Sequence, residues 1–183
     1  MIAGSAWLGN GTGSLSTFDL TGTAITGSGG YTGGGVGTIA SPLGMAFDFS
    51  GNMWVASTNG VSEFSRQGVA LSSTPYTVGG ISNPLAVAVD GAGQIWVANS
   101  GGTVSVLSNT GAAVSPATGY CGPVQTPTGY CASANTPGGI AIDISGSVWV
   151  PSKTASTVTR ILGAAAPVVP LATGAASGPG VEP

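Results

Sequence analysis

Bulky and small residues alternate along short stretches of this chain, and the alternation breaks at regular places into Asp, Gly, Ser and Asn. In LAVAVD (85–90), Leu85, Val87 and Val89 fall on one side of an extended backbone and Ala86 and Ala88 on the other. GMAFDF (44–49) and GIAIDI (139–144) alternate small with large in the same way. A period of two over such runs predicts β-strands. Each run reaches an Asp with a Gly three residues later, and a second apolar run then resumes around a tryptophan. The Asp-to-Gly stretch reads as a tight turn, the carboxylate accepting local backbone N–H groups and the glycine supplying a positive φ. Each pair of runs therefore predicts a hairpin.

The hairpins are copies of one another. SPLGMAFDFSGNMWVAS (41–57), NPLAVAVDGAGQIWVANS (83–100) and TPGGIAIDISGSVWVPS (136–152) share one spacing. Pro42, Asp48, Gly51 and Trp54 match Pro84, Asp90, Gly93 and Trp96, and Pro137, Asp143, Gly146 and Trp149. A further alternating run follows each tryptophan segment, and SAWLGNGTGSLSTFDLTGTAIT at the N-terminus aligns Trp7 with the other three without the Pro and Asp half. The intervals Trp7–Trp54, Trp54–Trp96 and Trp96–Trp149 are 47, 42 and 53 residues. A period of about 40–50 residues with four short strands per repeat matches the blade of a β-propeller.

The expected fold is thus all-β, a propeller of four-stranded antiparallel blades. One domain covers 1–174, with a partial blade at 1–40 and blades at 41–82, 83–135 and 136–174. Residues 175–183, rich in Gly and Pro, are expected to form a flexible tail. The first strand of each blade would line the axis, where small residues relieve crowding, and the tryptophans would pack between blades. Closure would come from the C-terminal APVVPLATG segment or from pairing with a second copy, because bare sheet edges are rarely left open.

Composition narrows the function. Only 5% of the 183 residues are charged, against about 25% usually, while 42% are hydrophobic. That is enough apolar surface to fold. Three cations and a net charge of −3 supply no positive field for phosphates, which argues against nucleic acid. No run of about 18 apolar residues is long enough to span a bilayer. The N-terminus lacks the pattern of a signal peptide, so an export signal is expected to lie elsewhere or the start to be short.

GGYTGGG (29–35), GGIAIDISGSVWV (138–150) and IWVANSGGTVSVLSNTG (95–111) resemble the NHL-repeat family of bacterial β-propellers. The likeness spans nearly the whole chain, including the closing GAAAPVVPLATG. It implies a propeller whose commonest use is binding, in an extracellular or cell-envelope setting. Distantly similar propellers include streptogramin B lyases and gluconolactonase-like hydrolases, which use metal ligands and acid/base side chains. With no histidine in the sequence, the lyase-type catalytic histidine has no position to be carried onto.

Candidate chemistry is sparse. Asp48, Asp90 and Asp143 could be imagined as Ca²⁺ ligands, but their recurrence at one turn position spreads them around a ring and predicts a structural role. Asp19, Glu63 and Glu182 are isolated and read as surface groups. Lys153, the sole lysine, would have to act as the base for any nucleophile; a loop lysine more simply faces water. No catalytic, metal or cofactor site is expected. Cys121 and Cys131 bracket a short segment between TGYC doublets; in an exported protein they would form a disulfide, with free thiols as the alternative.

The tyrosines Tyr31, Tyr76, Tyr120 and Tyr130 lie in segments joining one blade to the next. Those segments and the loops around Asn59, Asn99 and Lys153 would share one face, offering amphipathic rings and adaptable polar groups to a protein or glycan partner. The competing readings are tyrosines that only pack blade connections, a metal-assisted lyase or lactonase, and a purely structural or adhesive surface repeat.

Overall fold

The computed structural model describes residues 4–11, 13–32, 39–120 and 136–168. Among them every regular element is a β-strand. Blade 1 pairs β1 (Ala6–Asn10) with β2 (Ser14–Phe18). Blade 2 is β3 (Pro42–Phe47), β4 (Met53–Ser57) and β5 (Gly60–Phe64). Blade 3 is β6 (Pro84–Val89), β7 (Ile95–Asn99) and β8 (Val104–Leu107). Blade 4 is β9 (Ala141–Ile142), β10 (Val148–Ser152) and β11 (Thr157–Ile161). Each sheet is antiparallel in chain order, the middle strand being the tryptophan strand in blades 2–4.

The repeated Asp closes the first hairpin of each blade in two ways at once. Its Oδ1 accepts turn amides: Asn52 N–H for Asp48, Ala92 and Gln94 N–H for Asp90, Ser145 and Ser147 N–H for Asp143. Its Oδ2 accepts the indole N–H of the tryptophan six residues on, at 3.2 Å for Asp48–Trp54, 3.0 Å for Asp90–Trp96 and 2.9 Å for Asp143–Trp149. Gly51, Gly93 and Gly146 complete the turns at φ 80°, 79° and 78°. The fixed Asp-to-Trp spacing thus joins a turn to the ring that packs on the next blade.

The fourth strand of blades 1–3 is broken. It touches the third strand through bridges at its two ends: Phe18–Ala24 and Leu15–Tyr31, Phe64–Ala70 and Val61–Tyr76, Leu107–Ala113 and Val104–Tyr120. Between them a side-chain hydroxyl replaces a backbone carbonyl in the ladder. Thr26, Ser72 and Ser115 accept the N–H of Thr17, Glu63 and Val106. Each chain can then leave the strand path without orphaning a buried donor.

The core consists of layers between blades. Leu15, Ile39, Met53, Val55 and Phe64 fill the gap between blades 1 and 2. Trp54, Val61, Val87, Ile95, Val97 and Leu107 fill that between blades 2 and 3. Trp96, Val104, Val106, Val148, Val150 and Ala165 fill that between blades 3 and 4. Where β3 and β6 converge, a Cβ at Gly44 would sit 2.6 Å from the Ala86 Cα, which is the crowding that small residues on these strands relieve.

Two expectations change. Glu63 is buried rather than solvated, because it pairs across the ladder with Trp54 on the face turned to blade 3 and Asn52 Nδ2 donates to it at 2.9 Å. The four tryptophans are also not equivalent: Trp54 and Trp96 are buried, whereas Trp149 is 36% exposed. Over residues 162–168, the described part after β11, the chain forms no bridge to that strand. It crosses to the first-hairpin turns of blades 3 and 4, where Ala165 N–H donates to Gly146 O, Gly91 N–H to Ala166 O, and Ala166 N–H to Asp90 Oδ2.

Candidate recognition face

The loops joining second and third strands lie beside the connections that enter the first strands. Thr58 N–H donates to Ala40 O at 2.9 Å, Ser100 N–H to Asn83 O at 3.0 Å, and Lys153 N–H to Thr136 O at 2.8 Å. Hairpin loops and blade connections are therefore tied together at one end of blades 2–4. Among the described residues, every non-glycine with positive φ sits at this end: Ser41 at 50°, Asn83 at 44° and Ser156 at 51°. Ser41 and Asn83 each precede a proline, whose ring already excludes the right-handed helical region. A left-handed backbone at an ordinary side chain is strained, and such residues concentrate at functional surfaces.

The candidate residues divide by exposure. Asn59 and Lys153 are exposed on these loops. The Asn59 carboxamide oxygen accepts from Ser57 Oγ at 2.6 Å. Tyr120 is exposed as well, with its backbone paired to Val104. Asn99 is fully buried instead: its Nδ2 donates to Thr103 Oγ1 and Ser105 Oγ, and its Oδ1 accepts from Ser82 N–H. Tyr31 and Tyr76 are half-buried between blades. Tyr31 lies 5.5 Å from the Trp7 ring and Tyr76 is stacked 5.6 Å from Trp54. The two rings also abut Gly68 and Gly111 of the next blade, where a Cβ would collide with them. The repeat supplies one such set per blade and does not gather them at one point. Tyr130, Cys121 and Cys131, with the disulfide expected between the cysteines, lie outside the described residues.

The acidic groups among the described residues are engaged. Burial and the nearby Asp48 charge push the Glu63 carboxyl up, against the lowering effect of the Asn52 hydrogen bond. Burial and the Glu63 charge push the Tyr76 hydroxyl up. Hydrogen bonds from Ser145, Trp149 and turn amides hold Asp143 well below the usual carboxylate range, and Thr21 and Thr23 lower Asp19 in the same way. Among the described residues, no three metal-ligating side chains converge.

A cleft that sequence reasoning missed opens at the opposite end, between blades 1 and 2. Its volume is about 330 Å³, and Ser5, Trp7, Phe47, Gly51, Arg66 and Gln67 line it. Trp7 has no Asp at the repeat spacing, where Met1 stands, and its indole N–H donates to Ser5 Oγ at 3.2 Å instead. The missing Asp was the available signal. Arg66 holds one wall by donating from Nε and Nη2 to Ser50 O.

No family model matches the chain and no curated protein matches it. Solved structures do. Catalytically inactive virginiamycin B lyase from Staphylococcus aureus, solved with quinupristin, is similar over 90% of this chain and 52% of its own, with 14% identity and a TM-score of 0.62. PorZ, an essential bacterial surface component of the type-IX secretion system of Porphyromonas gingivalis, is similar over 87% of this chain and 23% of its own (17% identity, TM-score 0.60). The computationally designed Ika4 protein is similar over 88% of this chain and 87% of its own (16% identity, TM-score 0.59). The chain spans about half the length of the lyase. With its antiparallel blades and inter-blade cores, the chain has the β-propeller fold shared by streptogramin B lyase-like structures.

Proposed function

We propose that this chain is a non-catalytic propeller scaffold that binds a protein or glycan partner through the loops at the Asn59 and Lys153 end, outside the cell or in its envelope. The observation that carries the reading is the strained, exposed loop end itself. Ser41, Asn83 and Ser156 hold costly backbone conformations beside exposed Asn59 and Lys153, on an otherwise regular repeat. Rigid blades presenting variable loops suit recognition, since the loop geometry is set before the partner arrives.

The chemistry argues in the same direction. A histidine-free chain differs from a lyase whose histidine-to-alanine variant is catalytically inactive. Asp48, Asp90 and Asp143 are each committed to their own tryptophan and turn, and Glu63 is capped by Asn52 in a blade interface. No general acid/base pair is left facing a common space among the described residues. The resemblance to a bacterial surface component supports an exported setting.

The test is a glycan array and an affinity pull-down from the cell envelope, run with the wild-type chain and with Asn59→Ala, Tyr120→Ala and Lys153→Ala combined. The reading expects a partner retained by the wild type and weakened more than tenfold by the triple variant, whose unfolding transition stays in place. Equal retention by both proteins overturns the loop face. Absence of any partner overturns the scaffold reading in favour of a structural repeat.

A further inference from the structure

Blades 1–3 each place one residue opposite the tryptophan in the ladder, on the face turned to the next blade: Thr17 opposite Trp7, Glu63 opposite Trp54 and Val106 opposite Trp96. Two residues before each tryptophan stand Ser5, Asn52 and Gln94. Between blades 2 and 3 these positions fill the junction, since Asn52 Nδ2 donates to the buried Glu63 carboxyl at 2.9 Å. Between blades 3 and 4 Val106 fills it, packed with Val148, Val150 and Ala165. Between blades 1 and 2 Ser5 and Thr17 are shorter than Asn52 and Glu63, and a compartment of about 230 Å³ adjoins the cleft described above. Thr17, Trp7 and Tyr31 of blade 1 and Arg66 and Gln67 of blade 2 line it, so both blades supply its walls. Ser5 lines it too, and its Oγ accepts the Trp7 indole N–H. Thr17 is 2% exposed, and among the described residues its Oγ1 is the buried side-chain polar atom left without a hydrogen-bond partner. A buried hydroxyl without a partner is costly and calls for an explanation.

The geometry points to a small-molecule site at this junction, built for a single sugar ring that carries a carboxylate, as in a hexuronate unit of an acidic glycan. Size limits the ligand first. The compartment is smaller than the roughly 300–1,000 Å³ that drug-sized ligands occupy, so it admits one ring rather than an oligomer. The walls then set its character. The Trp7 and Tyr31 rings, 5.5 Å apart, offer apolar surface to the C–H side of a sugar ring. The Thr17 hydroxyl and the Gln67 carboxamide can each donate and accept, which is what sugar hydroxyls require. Arg66 supplies the charge. Its Nε and Nη2 donate to Ser50 O at 3.2 and 3.0 Å, which holds the guanidinium in place and leaves Nη1 to meet a carboxylate by charge-assisted hydrogen bonds. A neutral sugar leaves that donor unused. The site lies at the opposite end of the blades from the Asn59 and Lys153 loops, so it stands or falls separately from them.

Titration of the whole chain with methyl glucuronide, methyl glucoside and inorganic phosphate, followed by the indole N–H resonances in NMR spectra, tests this. The glucuronide is expected to move the Trp7 resonance saturably, in the millimolar range of so small a ligand, and to bind at least tenfold tighter than the glucoside. Arg66→Gln is expected to abolish that preference. Thr17→Val keeps the side-chain shape and removes the hydroxyl, and it is expected to weaken the glucuronide threefold or more. A glucuronide that leaves the Trp7 resonance in place, or a glucoside that binds as well, overturns the proposal. So does phosphate that binds as tightly as the glucuronide, since that identifies a plain anion site at Arg66. A Thr17→Val protein that binds unchanged and unfolds at a higher temperature also overturns it, because the hydroxyl is then only a packing defect. Should Thr17→Val fail to fold, Arg66→Gln, at an exposed side chain, decides: a preference that survives it overturns the site.

Discussion

Asp90 accepts four hydrogen bonds with its side chain fully buried: from the amides of Ala92, Gln94 and Ala166 and from the Trp96 indole. Asp90→Ala takes the acceptor from all four donors, the Trp96 indole among them in a buried bond, so the expected loss is about 3 kcal/mol, read from the denaturant midpoint. Asp143→Ala makes the smaller change, because its tryptophan is already partly exposed. The two kinds of acid also respond oppositely to pH. Folding lowers the Asp143 carboxyl, so the unfolded chain binds more protons, and this contribution is present at neutral pH and lost as pH falls through the acidic range. Folding raises Glu63, so its ionised form opposes folding, and that cost grows as pH rises through the ordinary carboxylate range. Glu63→Gln is therefore expected to stabilise the protein at pH 7 and to lose its advantage below about pH 4. Thermal unfolding of both proteins across that range checks it. An advantage that persists at low pH shows that the gain does not come from charge.

The broken fourth strand depends on hydroxyls placed two residues after an alanine, as in Ala24-Ile25-Thr26, Ala70-Leu71-Ser72 and Ala113-Val114-Ser115. Ser115 Oγ accepts from Val106 N–H at 2.8 Å and donates to Gly79 O at 2.7 Å, 36 residues earlier. Ser115→Ala removes both bonds at a buried site, with an expected loss of about 1–3 kcal/mol. Ser72→Ala, which leaves the Glu63 amide unpaired, should cost a similar amount; chemical denaturation measures both. The contrast between this segment and the hairpins explains what could be read from the chain. Asp-Gly turns between runs of period two specify hairpins and register locally, so strands β3–β4, β6–β7 and β9–β10 were legible. A segment held by bridges at its ends and a hydroxyl in its middle has no period of its own, and its pattern shows only against a known third strand. The side-chain setting of Glu63 and Asn99 was equally hidden, because cross-strand pairing and a neighbouring blade create it. The loops at the Asn59 and Lys153 end could be located from repeat register. Which tyrosine rings turn inward could not, because that depends on close approach to Gly68 and Gly111 across a blade boundary.

At the scale of the molecule, the repeat sets one copy of each functional group per blade, and this bears on metal dependence. A Ca²⁺ ion needs six to eight oxygens converging within about 2.6 Å. Asp48, Asp90 and Asp143 belong to three different blades and each is spent on its own indole and turn amides, so binding an ion would first break those bonds. The scaffold reading therefore expects thermal unfolding to be indifferent to calcium and to chelator. The alternative has a definite size: an ion present at a hundred times its dissociation constant adds about 2.7 kcal/mol, on the order of 5–10 °C for a domain of this length. A shift of that magnitude that saturates at one ion per chain would mean that carboxylates rearrange to converge, and it would move the assignment toward a metal-assisted propeller enzyme. A midpoint that stays fixed within about 1 °C leaves the acids where their hydrogen bonds put them, each fastening its own tryptophan to the first-hairpin turn of its blade.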